Sequence, residues 1–239
     1  MFRKFVVLGI LALAFFCAQS LPGMQASQKQ AAQEADRVEK SIQVLKEIVE
    51  LPKPEEALPG VLFNKAEGLA VFPGVIKAAY GIGGQYGRGI VVIKSEMGAW
   101  SNPVFVRIIG GSIGWQIGVQ KADIILVFKT QKSIENMAAG KITLGADISV
   151  VAGPVGRQAE ASTDLEMEAE IYSYSKSKGL FAGVSIKGAS IQIDKDADSA
   201  FYGRSDVTAR EIFYGETRKA PAVVDQLKAA LAKYSGRKK

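Results

Sequence analysis

Gly68-Leu-Ala-Val-Phe-Pro-Gly74, Lys77-Ala-Ala-Tyr-Gly-Ile-Gly-Gly-Gln-Tyr-Gly-Arg-Gly-Ile-Val-Val-Ile-Lys94, Trp100-Ser-Asn-Pro-Val-Phe-Val-Arg-Ile-Ile-Gly-Gly-Ser-Ile-Gly-Trp-Gln-Ile-Gly-Val-Gln120 and Ile124-Ile-Leu-Val-Phe128 form the stretch that decides the fold. Short β-branched and aromatic runs alternate with closely spaced glycines, the pattern of successive strands joined by tight turns. Many of the glycines fall inside the runs. A glycine within a strand marks a bulge, a sharp bend or the close approach of another backbone. The expectation is an α+β fold built on a bent antiparallel sheet or small β-barrel from about Gly68 to Ile193.

Outward from this core, Ser27 to Leu51 reads as an amphipathic helix. Ala35, Val38, Ile42, Leu45 and Val49 recur at spacings of three and four, Ser27 with Gln30 fits a capping box, and Pro52 and Pro54 end the pattern. A helix over the sheet is one reading, and a membrane-surface or partner-binding helix the other. Pro59 to Ala66 predicts a short helix, and Lys132 to Ala139 one or two helical turns stopped by Gly140. Strands are expected at Ile142 to Leu144 and Asp147 to Val151. Asp164 to Ile171 alternates acidic and apolar residues with period two, which predicts an antiparallel strand with one wet acidic face, continued by Tyr172 to Ser177. Gly179 to Ile186 and Ala189 to Ile193 read as a hairpin around Lys187-Gly188. Thr208 to Phe213 suggests a helical turn or two. Pro221 opens a last helix with Val224, Leu227, Leu231 and Tyr234 on one face.

The first twenty residues have the layout of a secretory signal: Arg3 and Lys4, an uncharged run from Phe5 to Ala18, then small residues at Ala18-Gln-Ser20. The run is too short to span a membrane as a helix. A lipid anchor at Cys17 is disfavoured by bulky Phe15 and Phe16. The organisation expected is therefore a signal peptide at 1–20, an amphipathic helix and linker at 21–57, a central domain at 58–215, and a helix with a basic tail at 216–239. An exported protein, periplasmic or secreted and peripheral to a membrane, follows.

Composition bounds the chemistry. The 239 residues include no histidine and one cysteine, Cys17, so a mature chain has neither an imidazole base nor a thiolate. Gly110-Gly-Ser112-Ile-Gly114 matches a nucleophile-elbow spacing, but nothing in the chain can activate Ser112 as histidine would. Gly81 to Gly87 is glycine-rich like a nucleotide loop, yet a strand follows it where a helix is required. Asp194, Asp196 and Asp198 occupy the first three ligand positions of a calcium loop, but Ser199 replaces the obligatory glycine and Ser205 the closing glutamate; a helix start or turn fits better. No catalytic residue, cofactor or metal ligand is expected. An outer-membrane barrel is disfavoured because Ile90 to Ile93 and Ile124 to Phe128 are apolar on both faces.

The net charge is +6, of which Arg3 and Lys4 supply two. That mild excess favours anionic surfaces and is too small to argue for nucleic acid. Lys77, Arg88, Arg157, Lys176 and Lys178 sit beside glycines or turns, where a cation and backbone N–H groups together can hold a phosphate. These five are the candidate lipid- or phosphate-binding residues; scattered solvated charges are the alternative.

Lys65-Ala-Glu-Gly-Leu-Ala-Val-Phe-Pro73, Tyr80-Gly-Ile-Gly-Gly-Gln-Tyr-Gly-Arg-Gly89, Trp100-Ser-Asn-Pro103, Gly110-Gly-Ser-Ile-Gly114, Leu144-Gly-Ala-Asp147, Ala152-Gly-Pro-Val-Gly-Arg157, Tyr174-Ser-Lys-Ser-Lys-Gly-Leu-Phe-Ala-Gly183 and Phe201-Tyr-Gly203 follow one another in the order of the SYLF domain. From about Leu58 to Gly215 the chain resembles that family, the lipid-binding module of yeast actin-patch proteins and of animal proteins carrying SH3 or FYVE domains. The resemblance implies a non-enzymatic domain that binds anionic lipid, phosphoinositides in the eukaryotic members, with actin bundling in the yeast ones. No SH3 or FYVE pattern accompanies it here. The export signal resembles that of the bacterial branch and makes cytosolic actin an unlikely partner, leaving an anionic phospholipid or an envelope protein partner as the two expectations.

Overall fold

The β-branched runs between Gly68 and Phe128 form four long antiparallel strands in the computed structural model: β1 (Gly68–Tyr80), β2 (Ile82–Ile93), β3 (Val104–Ile113) and β4 (Gly118–Phe128). The structure describes residues 22–49, 60–80, 82–113, 118–154, 169–177, 180–184, 186–215 and 220–235. Short strands β5 (Lys141–Thr143), β6 (Val150–Ala152), β7 (Ile171–Ser177), β8 (Leu180–Gly183) and β9 (Ser190–Ile193) extend the sheet. The order is β5-β9-β3-β2-β1-β4-β7-β6, with β8 on β7. The sheet curls into half a barrel and stays open at β5 and β6.

The curl has a local cause. The register of β1 slips between Phe72 and Val75, where Pro73 cannot donate a ladder hydrogen bond and Gly74 takes φ 64°. The freed Gly74 N–H donates to the Asp123 carboxylate at 2.7 Å. Across the sheet, Gly89 lets β2 press onto β1: a Cβ there would lie 2.2 Å from the Val71 carbonyl oxygen.

Both faces of the sheet are covered. On the first, Leu69, Val71, Ile90, Val92, Phe105, Ile125, Val127 and Tyr174 pack under α1 (Pro22–Val49), α2 (Gly60–Lys65), α4 (Lys195–Tyr202) and α6 (Val223–Ser235). On the second, Phe72, Val91, Val106, Ile124, Leu126 and Phe128 meet α3 (Gln131–Ala138) and α5 (Ala209–Tyr214). The continuous apolar runs Ile90 to Ile93 and Ile124 to Phe128 are thus strands buried on both sides. Val38, Leu45 and Ile48 hold α1 in place with no exposed surface; burial of such side chains contributes about 1.5–3 kcal/mol each. No described helix is long and apolar enough to cross a membrane.

Three expectations change. Helix α1 begins at Pro22, so Ser27 and Gln30 lie within it and form no capping box; Met, Gln and Ala upstream are good helix formers, and nothing after Gly23 breaks the run. The hairpin around Lys187-Gly188 is absent. Strand β8 pairs with β7, whereas β9 pairs with β3 and β5, because Ile191 and Ile193 complete the second-face core beside Val106 and Ile108. Finally, the sheet is not wholly antiparallel, since β6 runs parallel to β7. The acidic strand expected from Asp164 lies mostly outside the described residues, which resume at Ala169, and the signal segment lies outside them entirely.

Candidate functional site

Toward the ends of β1 and β2 near residue 81, the helices no longer cover the first face, and the strand register sets out its side chains in rows. One row carries cations. Arg107 of β3 stands opposite Arg88 of β2; across the β1 bulge lies Asp123 of β4, which is opposite Lys176 of β7. The Lys121 stem runs over the same bulge, where an added Cβ on Gly74 would come 2.4 Å from its Cε. The next row is apolar: Ile109 opposite Tyr86, and Tyr86 opposite Ile76. Val119 stands one row further out, opposite Ala78.

The predicted cations take different roles. Lys176 ion-pairs at 2.5 Å with Glu47 of α1, and that bond holds the Glu47 carboxyl below its ordinary range. Arg88 donates from Nε to the Tyr86 hydroxyl at 3.1 Å, and its Nε lies 3.7 Å from the Asp194 carboxylate, which Arg107 approaches at 3.6 Å. Lys77 is on the opposite face, between Gln85 and Gln120 in the register. Its ammonium is half-buried, burial pushes its pKa down, and among the described residues it has no carboxylate partner. Arg88 and Lys176 therefore share a row and Lys77 lies behind it; Arg157 and Lys178 lie outside the described residues.

Lys121 and Arg107 escaped sequence reasoning. Arg107 had a signal: it falls between Phe105 and Ile109 at a position that period-two alternation assigns to the core-facing side. It pairs with a buried acid that only tertiary packing supplies.

Beneath this end, a charged cluster locks α1 and α4 to the sheet. Glu34 of α1 is buried and pairs with Arg37 at 2.6 Å, while Arg37 stacks over Phe105 at 5.4 Å. Burial raises the Glu34 pKa against the opposing pull of Arg37. Asp194 precedes α4, and Asp198 within it accepts from the Phe105 N–H at 2.9 Å. The aspartate run is thus a helix start in which Asp194 faces arginines, Asp198 faces sheet backbone and Asp196 is exposed. Burial raises Asp198 to about 8, with Asp194 and Glu34 adding to the rise and the Phe105 N–H opposing it. The Gly81 to Gly87 segment is strand from Ile82 onward. Ser112 is in β3, paired through its backbone with Gly83. Among the described residues no three acidic, thiol or imidazole groups converge on a possible ion site.

The family model described as "Ysc84: Las17-binding protein actin regulator" matches residues 109–234, more than half of the chain. The chain belongs to the Ysc84 family. The match runs from β3 through α6, so the exposed end of β3 and β4, the buried Asp194 and the last helix all fall within the Ysc84 region. It is similar to the SH3 domain-containing YSC84-like protein 1 of Xenopus laevis, 35% identical over 74% of this chain and 54% of that protein. The human protein of the same name is 34% identical over 81% of this chain and 56% of its own length. LAS seventeen-binding protein 3 of Saccharomyces cerevisiae is 37% identical over 71% and 37%. The chain therefore spans about half the length of its animal relatives, and less of the yeast one.

Proposed function

We propose that this protein is a non-enzymatic module that binds anionic phospholipid at a membrane surface, acting as an exported protein at the outer side of a cytoplasmic membrane or within the envelope. The observation that carries this reading is Lys77. Burying half an ammonium with no carboxylate beside it among the described residues costs stability, and the cost is offset when an anion arrives. Lys121 lies near the same level of the sheet on the other face, and Arg88 and Arg107 stand close by, their one shared counter-ion buried beneath them. Cations on both faces of one end suit a planar array of phosphates, to which each basic residue contributes about 1 kcal/mol. The family resemblance agrees with this reading, and Lys176 is paired with Glu47 of α1.

Flotation with phosphatidylglycerol and phosphatidylcholine vesicles tests the reading. Binding to the first, weakened by salt, with little binding to the second, is expected. Equal and negligible flotation on both would remove the proposal. A protein partner is the second reading, favoured by the name of the yeast relative. Retention of an envelope protein that survives high salt, with no vesicle binding, would favour it.

A further inference from the structure

We infer that the glycine-rich end of the sheet enters an anionic bilayer end-on, with Ile109, Tyr86, Ile76 and Val119 passing below the phosphates and the cation row remaining among them. This deepens the lipid reading and rests on it.

The four apolar side chains are between 40% and 75% exposed, although the same strands bury every large apolar residue closer to the helices. Ile109, Tyr86 and Ile76 are consecutive cross-strand neighbours, so their side chains form one continuous strip across β3, β2 and β1, and Val119 continues it outward from β4. Such a strip is the kind of exposed apolar surface that marks a contact site.

Its position relative to charge selects the occupant. The strand rise is about 3.3 Å per residue, so the strip starts roughly 7 Å beyond the Arg107–Arg88 row and Val119 lies roughly 7 Å further out. Interfacial elements sink about 5–10 Å into a bilayer, which takes in the Ile109–Tyr86–Ile76 row, with Val119 reaching deeper. Lys121 bridges the two levels: its Cα is in the apolar row while its stem points back over Gly74 toward the cations, as a snorkelling lysine does. Lys77 provides a cation on the other face. The acids nearby among the described residues are Asp194 and Glu34, buried beneath the arginines, Asp123, which accepts from Gly74 N–H, and Glu47, paired with Lys176. Among the described residues no acid stands in or beyond the apolar strip. An apolar end crowned by cations on both faces complements an anionic membrane and suits a second copy of itself poorly, because the cation rows would meet.

The test uses the full-length protein and three substitutions at exposed apolar positions: Val119→Glu and Ile109→Glu in the strip, and Met97→Glu at the far end of the sheet, where Met97 is 93% exposed between β2 and β3. Circular dichroism confirms that all three fold. On phosphatidylglycerol vesicles, Val119→Glu and Ile109→Glu are expected to bind at least roughly ten-fold more weakly, with Met97→Glu equal to wild type. A strip variant that binds like wild type, or a Met97→Glu loss of the same size, would overturn end-on entry while leaving surface binding intact. Failure of the wild type to bind at all would remove the lipid reading itself, and this inference with it. Light scattering supplies the remaining outcome: a wild-type dimer that Val119→Glu converts to monomer would assign the strip to a second copy and refute the bilayer.

Discussion

Asp198 shows how one side chain couples burial to pH. Burial of its nearly inaccessible carboxyl raises its pKa to about 8, with Asp194 and Glu34 adding to the rise and the Phe105 N–H it accepts from, and Arg37, opposing it. The folded protein thus holds a proton that the unfolded chain releases near pH 4. This group's stabilisation is full below that value and declines as pH rises through about 8. Asn at 198 keeps an oxygen for the Phe105 N–H and removes the charge. Asp198→Asn is expected to raise stability at pH 8 to 9 by about 1–3 kcal/mol and to flatten its pH dependence, measured by urea denaturation between pH 5 and 9. Unchanged pH dependence would show that Asp198 is ionised throughout.

At the level of elements, the glycines of β2 are not equivalent. Gly89 faces Val71 and Phe72 at distances no Cβ tolerates, whereas the nearest atom to a Cβ on Gly84 is the Gly110 carbonyl oxygen at 3.8 Å. Gly89→Ala is therefore expected to lower stability by about 2–4 kcal/mol and Gly84→Ala by less than about 1 kcal/mol, read as shifts in denaturation midpoint. Comparable losses at both sites would contradict the close approach of β1 and β2. The presence of glycine inside these strands was legible in the sequence, and so was the bend. So were the two-sided burial of β2 and β4 and the periodic face of α1, because local alternation and 3.6-residue spacing report burial directly. Pairing was not. Lys187-Gly188 has hairpin chemistry, but β9 is recruited by β3, some eighty residues earlier, and no local signal encodes that contact. The site was legible in part for the same reason. Arg88 and Lys176 could be named, yet which cation is matched by Glu47 or Asp194 depends on how α1 and α4 fold back over the sheet.

For the whole molecule, the relevant quantity is where the modest positive charge gathers. A net +6 spread evenly over 239 residues would attract anionic membranes weakly. The fold instead seals the middle of the sheet beneath α1, α2, α4 and α6 on one face and α3 and α5 on the other. It leaves one glycine-rich end where Lys77 and Lys121 lie within a residue of each other in the register, on opposite faces. The Ysc84 family model, described as a Las17-binding protein actin regulator, covers the β3 and β4 strands of this end. The most direct test is the dissociation constant for phosphatidylglycerol vesicles of the wild type and of the Lys77→Glu/Lys121→Glu double variant. At about 1 kcal/mol per basic residue near the surface, reversing both charges is expected to weaken binding at least roughly a hundred-fold. A folded double variant that binds with wild-type affinity would contradict the account.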